Sequence, residues 1–97
     1  MISQICTAIK NMNVLTFTYD GFDRVVEPHA YGNDRKGQDV MRAFQTEGGS
    51  DSGDAFGWKL FLTSNIQSLQ IQTHTFPSPR PGYRPGDKVM QRIYCQL

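Results

Sequence analysis

The apolar positions along the chain follow two periods. Ile2, Ile5, Cys6, Ala8, Ile9 and Met12 recur at three- and four-residue steps, which lays one apolar stripe along a short helix. Ser3 stands where its hydroxyl can accept from an orphan amide and cap that helix, and Asn11 and Asn13, weak helix formers, suit its end. The period then becomes two. Leu15, Phe17 and Tyr19 alternate with Thr16 and Thr18, the pattern of a strand with one buried face. Asp20-Gly21 begins a tight turn, because glycine reaches positive φ without steric cost. The chain resumes as Arg24-Val25-Val26-Glu27-Pro28, and proline, which cannot donate to a ladder, marks an edge or a strand end.

Gly32 to Gly37 reads as a polar turn, and Val40-Met41-Arg42-Ala43-Phe44 as a third strand. Glu47 to Asp54 is a long, flexible hairpin loop with no side chain fit for a core. Trp58 to Leu62 and Ile66 to Ile71 give strands four and five. The tail turns irregular at Pro77, Pro79, Pro81 and Pro85, a spacing that favours extended polyproline geometry. Asp87 is placed to cap a last helical turn over Lys88 to Tyr94, with a strand as the alternative. One helix followed by five short strands predicts a mainly β domain, a small five-stranded antiparallel barrel or strongly bent sheet. Residues 1–76 would form the barrel with its helix, and 77–97 an extension packed on it or trailing from it. A barrel of this size is filled by its own side chains, so a ligand must sit on the surface.

Composition narrows the function classes. A chain of 97 residues has room for one core, and 38% hydrophobic with 20% charged residues is not the signature of disorder. A net charge of +1 points to no partner by itself. No apolar run suffices to cross a bilayer and the N-terminus lacks a secretory pattern, so the expected location is cytoplasmic, without membrane association. Cys6 and Cys95 are then expected as free thiols, a disulfide between the chain ends being the alternative. Together with His29 and His74 they make no zinc spacing, and neither metal nor cofactor is expected.

Nothing is assembled for catalysis. Neither cysteine has a recognisable His partner, and Gly48 to Gly53 lacks the Gly-Lys-Ser/Thr ending of a phosphate-cradling loop. Asp20 and Asp23 read as turn formers. Binding chemistry is better represented. Arg24, Arg42 and Lys59 lie inside predicted strands, and neighbouring strands would gather them into one basic patch near Tyr19, Tyr31 and Phe44. Arginine beside aromatic rings suits phosphate pairing and base stacking. Arg24 and His29 are five apart and point to opposite sides of an unbroken strand, unless Pro28 resets the phase. The tail adds Arg80, Arg84, Lys88 and Arg92 against Asp87, and Phe76, Tyr83 and Tyr94 are placed to pin it down.

Several blocks, in order, resemble a WYL domain: Ile5 to Ile9, Val14 to Tyr19, Arg24-x-Val26-x-Pro28, Gly37-x-x-x-Met41-x-Ala43-Phe44, and Lys59-x-Phe61 followed by Ile66. The likeness covers residues 2 to 76. Asp39-Val40-Met41 stands where the family has its Trp-Tyr-Leu triplet, and Lys59 and Asn65 stand where it has arginines. The block Gly57 to Phe61 is similar to one in stand-alone WYL-like proteins. The resemblance implies a barrel related to the SH3 and Sm folds and a ligand-sensing role, since members are mostly bacterial and phage regulators and some sense nucleic acid. The expected function is a binding module, not an enzyme, for a charged ligand such as single-stranded nucleic acid or a nucleotide. Arg24, Arg42 and Lys59 would supply charge, Tyr19 and Tyr31 stacking, and His29 a hydrogen bond. The alternative is a protein-interaction or homo-oligomerisation module without nucleic-acid affinity.

Overall fold

The computed structural model describes residues 2–97, with side chains from residue 4 onward. The apolar stripe becomes helix α1 (Ile2–Asn11), which buries Ile5, Ala8 and Ile9 and exposes Gln4, Thr7 and Lys10. The cap expected at Ser3 and the side chain of Ile2 lie outside the described side chains. Met12 takes a left-handed φ of 55° and its amide donates to the carbonyl of Ile9, so the helix stops there and a strand begins at once.

The strands are β1 (Asn13–Tyr19), β2 (Phe22–Asp34), β3 (Asp39–Gly48), β4 (Gly57–Leu62), β5 (Gln67–Thr75) and β6 (Met90–Gln96), with a 3-10 turn at Thr63–Asn65. All pair antiparallel in one sheet of order β4-β3-β2-β1-β5, and β6 pairs with β2 off that path. The domain is therefore mainly β, as expected, but with six strands instead of five, and the pairing leaves the sheet open between β4 and β5 instead of closing it into a barrel. Tyr19 meets β4 by its side chain alone, its hydroxyl accepting from the amide of Leu62 at 3.1 Å.

The extra strand follows from the length of β2. Its 13 residues offer one edge to two partners: β1 takes Phe22 to Val26 and β6 takes Ala30 to Asp34. Pro28 stands between those two stretches and pairs only with Ala43 of β3. A missing donor costs nothing there, so the strand runs on where an end was expected. The register slips between Pro28 and Ala30. His29 keeps the side opposite α1 that alternation with Glu27 gives it, Ala30 joins it there through the slip, and Tyr31 returns to the helix side. A bulge of this kind re-aims side chains. The segment from Lys88 to Tyr94, read as a helical turn or a strand, takes the strand form over most of its length.

The sheet has two covered faces. Leu15, Phe17, Val26, Tyr31, Met41, Ala43 and Phe61 pack with Ile5, Ala8 and Ile9 of α1. Ala30, Val40 and Met90, with Leu62 and Ile93, form a smaller cluster on the opposite side. Because α1 packs against β6, Cys6 and Cys95 meet across 89 residues of chain with Cα atoms 5.8 Å apart, and they form a disulfide. The expectation of free thiols is corrected: the β2–β6 pairing that brings the chain ends together leaves no local mark on the sequence.

Candidate functional site

The tail crosses the face of the sheet opposite α1. Phe76 starts it, its amide donating to the carbonyl of Met12 and its ring stacked 5.4 Å from His29. His29 is fully buried and is touched by Trp58 at 4.7 Å and Tyr83 at 5.0 Å between ring centroids. Its Nδ1 lies 2.8 Å from the carbonyl of Glu27, and its Nε2 accepts from the amide of Arg80 at 3.0 Å. A carbonyl on one nitrogen and an amide proton on the other fit only the neutral ring with hydrogen on Nδ1. Burial is the main cause that lowers the pKa of His29 from 6.5.

Further along, the Arg80 guanidinium forks onto the Glu27 carboxylate at 2.6 and 3.1 Å and lies 4.6 Å over the ring of Phe44. The indole of Trp58 donates to the carbonyl of Pro81, and the hydroxyl of Tyr83 donates to the carbonyl of Leu97. The tail is thus fastened by aromatic contacts and a charge-assisted fork.

Beside these fastenings lies an open groove of about 440 Å³, lined by Arg42, Trp58, Tyr83, Arg84, Asp87 and Lys88 among others. Arg42 reaches it from β3 and Trp58 from β4, while the tail supplies the rest. The Nε of Arg42 donates to Asp87 at 2.7 Å. Burial acts to raise the pKa of Asp87, but the hydrogen bonds from Arg42 and the Val89 amide, with the charge of Arg42, outweigh it and hold the carboxyl below 3.8. At the rim, Arg35 donates to the carbonyl of Lys88 at 2.8 Å. The neighbouring Asp34 carboxylate is taken up by the amides of Lys36 and Gln38. The lining therefore carries three cations against one carboxylate, next to two near-parallel aromatic rings 6.2 Å apart.

Of the six residues expected to bind a ligand, only Arg42 lines this groove. His29 lies beneath it, in contact with Trp58 and Tyr83. Lys59 stands opposite Ala43, one residue out of step with the Arg42–Leu60 pair, so the two cations leave opposite faces of the sheet. The Lys59 ammonium donates to the carbonyl of Asp54. Arg24 is 3% exposed on the helix side, bonded to Gln45 and to the carbonyl of Tyr19. Tyr19 and Tyr31 belong to that same side. Tyr31 also borders a second cavity of about 540 Å³, with Asp39, Thr63, Ser64 and Ile66. Hydrogen bonds from Asn33 and Tyr94 hold the pKa of Asp39 below 3.8.

Trp58 and Tyr83, which line the groove, were not among the residues expected to bind a ligand, although the tail's excess of cations and the pinning role of Tyr83 were both visible in the sequence. Among the described residues, no three His, Cys, Asp or Glu side chains gather to hold a metal ion. Comparison with known proteins finds no matching protein-family model, no similar curated protein and no similar solved structure.

Proposed function

We propose that the chain is a WYL-like binding module whose tail-side groove takes a flat, phosphate-bearing ligand, such as a nucleotide or single-stranded nucleic acid. The observation that carries this reading is the convergence of Arg42, Arg84 and Lys88 with Trp58 and Tyr83 on one open groove. Guanidinium and ammonium groups pair with phosphate, and aromatic faces accept bases of any sequence. The reading is of a binding module because the groove offers charge and stacking surface.

Trp58 is the sole tryptophan, so its emission reports directly on the groove. Titration with a nucleoside monophosphate and with a short oligothymidylate is expected to change that emission saturably. Unchanged emission, with no shift of backbone resonances in Arg84 to Lys88, counts against the groove as the site.

One observation favours an interaction module as a second reading. Strand β4 is a sheet edge, and Leu60 on it and Phe56 just before it are exposed. A stable oligomer with no affinity for either probe selects that reading. The Cys6–Cys95 bond also bears on location, because disulfides persist in oxidising compartments and are rare in the cytosol. It weighs against the cytoplasmic setting that the sequence suggests.

A further inference from the structure

We propose that Asp87 is a built-in competitor for the anionic group of the groove's ligand, so that binding proceeds by exchange of one anion for another on Arg42. The proposal rests on the groove reading above and adds how that site is regulated. Arg42 engages Asp87 through one edge of its guanidinium, with Nε 2.7 Å from Oδ2 and Nη2 3.5 Å from Oδ1. That edge is the fork a phosphate would use. Both side chains line the groove, and 26% of the Arg42 side chain is exposed, so an incoming anion can reach it.

The carrier of the carboxylate is suited to yield. Asp87 directly follows Gly86, which is left-handed at φ 77° and has nothing near its missing Cβ, and a second left-handed glycine, Gly82 at φ 92°, opens the same stretch. Arg84, Pro85, Gly86 and Lys88 are exposed. Firm anchors flank the stretch: Tyr83 sits on the aromatic cluster and Met90 is buried in β6. Release of Asp87 therefore moves a short, mostly exposed stretch, held besides by the Gly86 amide's bond to Gln96 and by Arg35 on the Lys88 carbonyl, and leaves the tail fastened at Tyr83 and Met90. Arg84 and Lys88 travel on the same stretch and would fold onto the phosphate that replaces the carboxylate.

The test compares wild type with Asp87→Asn, read by Trp58 emission, against a nucleoside monophosphate and its parent nucleoside. Asparagine keeps an oxygen for the Val89 amide, which now donates to Asp87 Oδ1 at 3.0 Å, but removes the charge. The monophosphate is expected to bind the variant about fivefold more tightly, the upper range for a partly exposed ion pair, and the nucleoside equally to both proteins. In the Arg42→Ala background the gain should vanish. Should Asp87→Asn fail to fold, Asp87→Ser, which also offers an oxygen to that amide, takes its place. A wild type that binds the monophosphate and a variant that binds it no better overturn the competitor role and leave the groove reading standing. Absence of binding by both proteins overturns the groove reading and this inference with it.

Discussion

Arg24 stands opposite Phe17 in the β1–β2 register, and its guanidinium lies 5.4 to 5.7 Å from the ring centres of Tyr19, Phe22 and Phe61. Among the described residues no carboxylate pairs with it, and its Nε has no partner. Hydrogen bonds to Gln45 and to the Tyr19 carbonyl, with the aromatic faces, hold the charge in place. Replacing it with alanine strands the Gln45 oxygen and opens a cavity, and is expected to cost about 2–3 kcal/mol in denaturant unfolding. Arg24→Met, which keeps the apolar volume, should cost less, and neither change should alter ligand affinity. His29 carries a second expectation. Its folded pKa lies below 6.5, so its stabilising contribution is present above pH 6.5 and is lost as pH falls through the folded value. The midpoint of thermal unfolding, followed from pH 7.5 to 5, should fall, and His29→Gln should flatten that fall. The burial of Arg24 was legible in part: with period two it shares a face with Val26, opposite Phe17. Arg24 was read as part of a basic ligand-binding patch because the rings that receive it, Tyr19, Phe22 and Phe61, come from three different strands. The phase of His29 was left open; it lies on the side opposite Arg24, as an unbroken strand gives, and the slip between Pro28 and Ala30 changes the phase only from Ala30 on.

At the scale of elements, α1, β1, β3 and β4 lie over the segments that periodicity marks, each with a buried stripe or face, while β2 runs through Pro28 into Gly32–Asp34, expected as a turn, and β5 lies near its expected place with no residue buried. Strand β6 follows no such rule. Its exposure alternates poorly, and what defines it is the far half of β2. At Gly32 that pairing leaves no room for a side chain, since a Cβ there would sit 2.2 Å from the carbonyl oxygen of Arg92. Gly32→Ala should therefore loosen β6 and cost about 1–3 kcal/mol, with faster amide exchange in Ile93 to Gln96 as the signature. The disulfide fastens the same strand to α1. It encloses nearly the whole chain, so its removal by Cys6→Ser with Cys95→Ser should cost about 4.6 kcal/mol by the loop-entropy relation. A variant as stable as wild type would mean that the β2–β6 hydrogen bonds alone fix the chain end. Neither the strand nor the bond was legible for one reason: both are contacts between parts of the chain remote in sequence.

At the scale of the molecule, one sheet lies between a helix and a strapped tail. The helix side is a core and spends Arg24, Tyr19 and Tyr31 on it, which is why the expected basic patch does not form there. The tail side keeps a groove, because an irregular, proline-rich segment covers a sheet face less completely than a helix does. The excess of cations in the tail was plain in the sequence, but the place where it meets Arg42 and Trp58 required the fold. Phosphate binding in this groove is the proposal on which the functional reading stands. Its most direct test is the affinity of a fluorescent oligothymidylate at about 50 and 200 mM salt, for wild type, Arg42→Ala, Arg84→Ala and, as a control on the exposed side of α1, Lys10→Ala. Binding should weaken steeply with salt, be reduced by both arginine substitutions with a shallower salt dependence, and be untouched by the change at Lys10. Absence of binding at the lower salt, or binding indifferent to Arg42 and Arg84, would contradict the proposal.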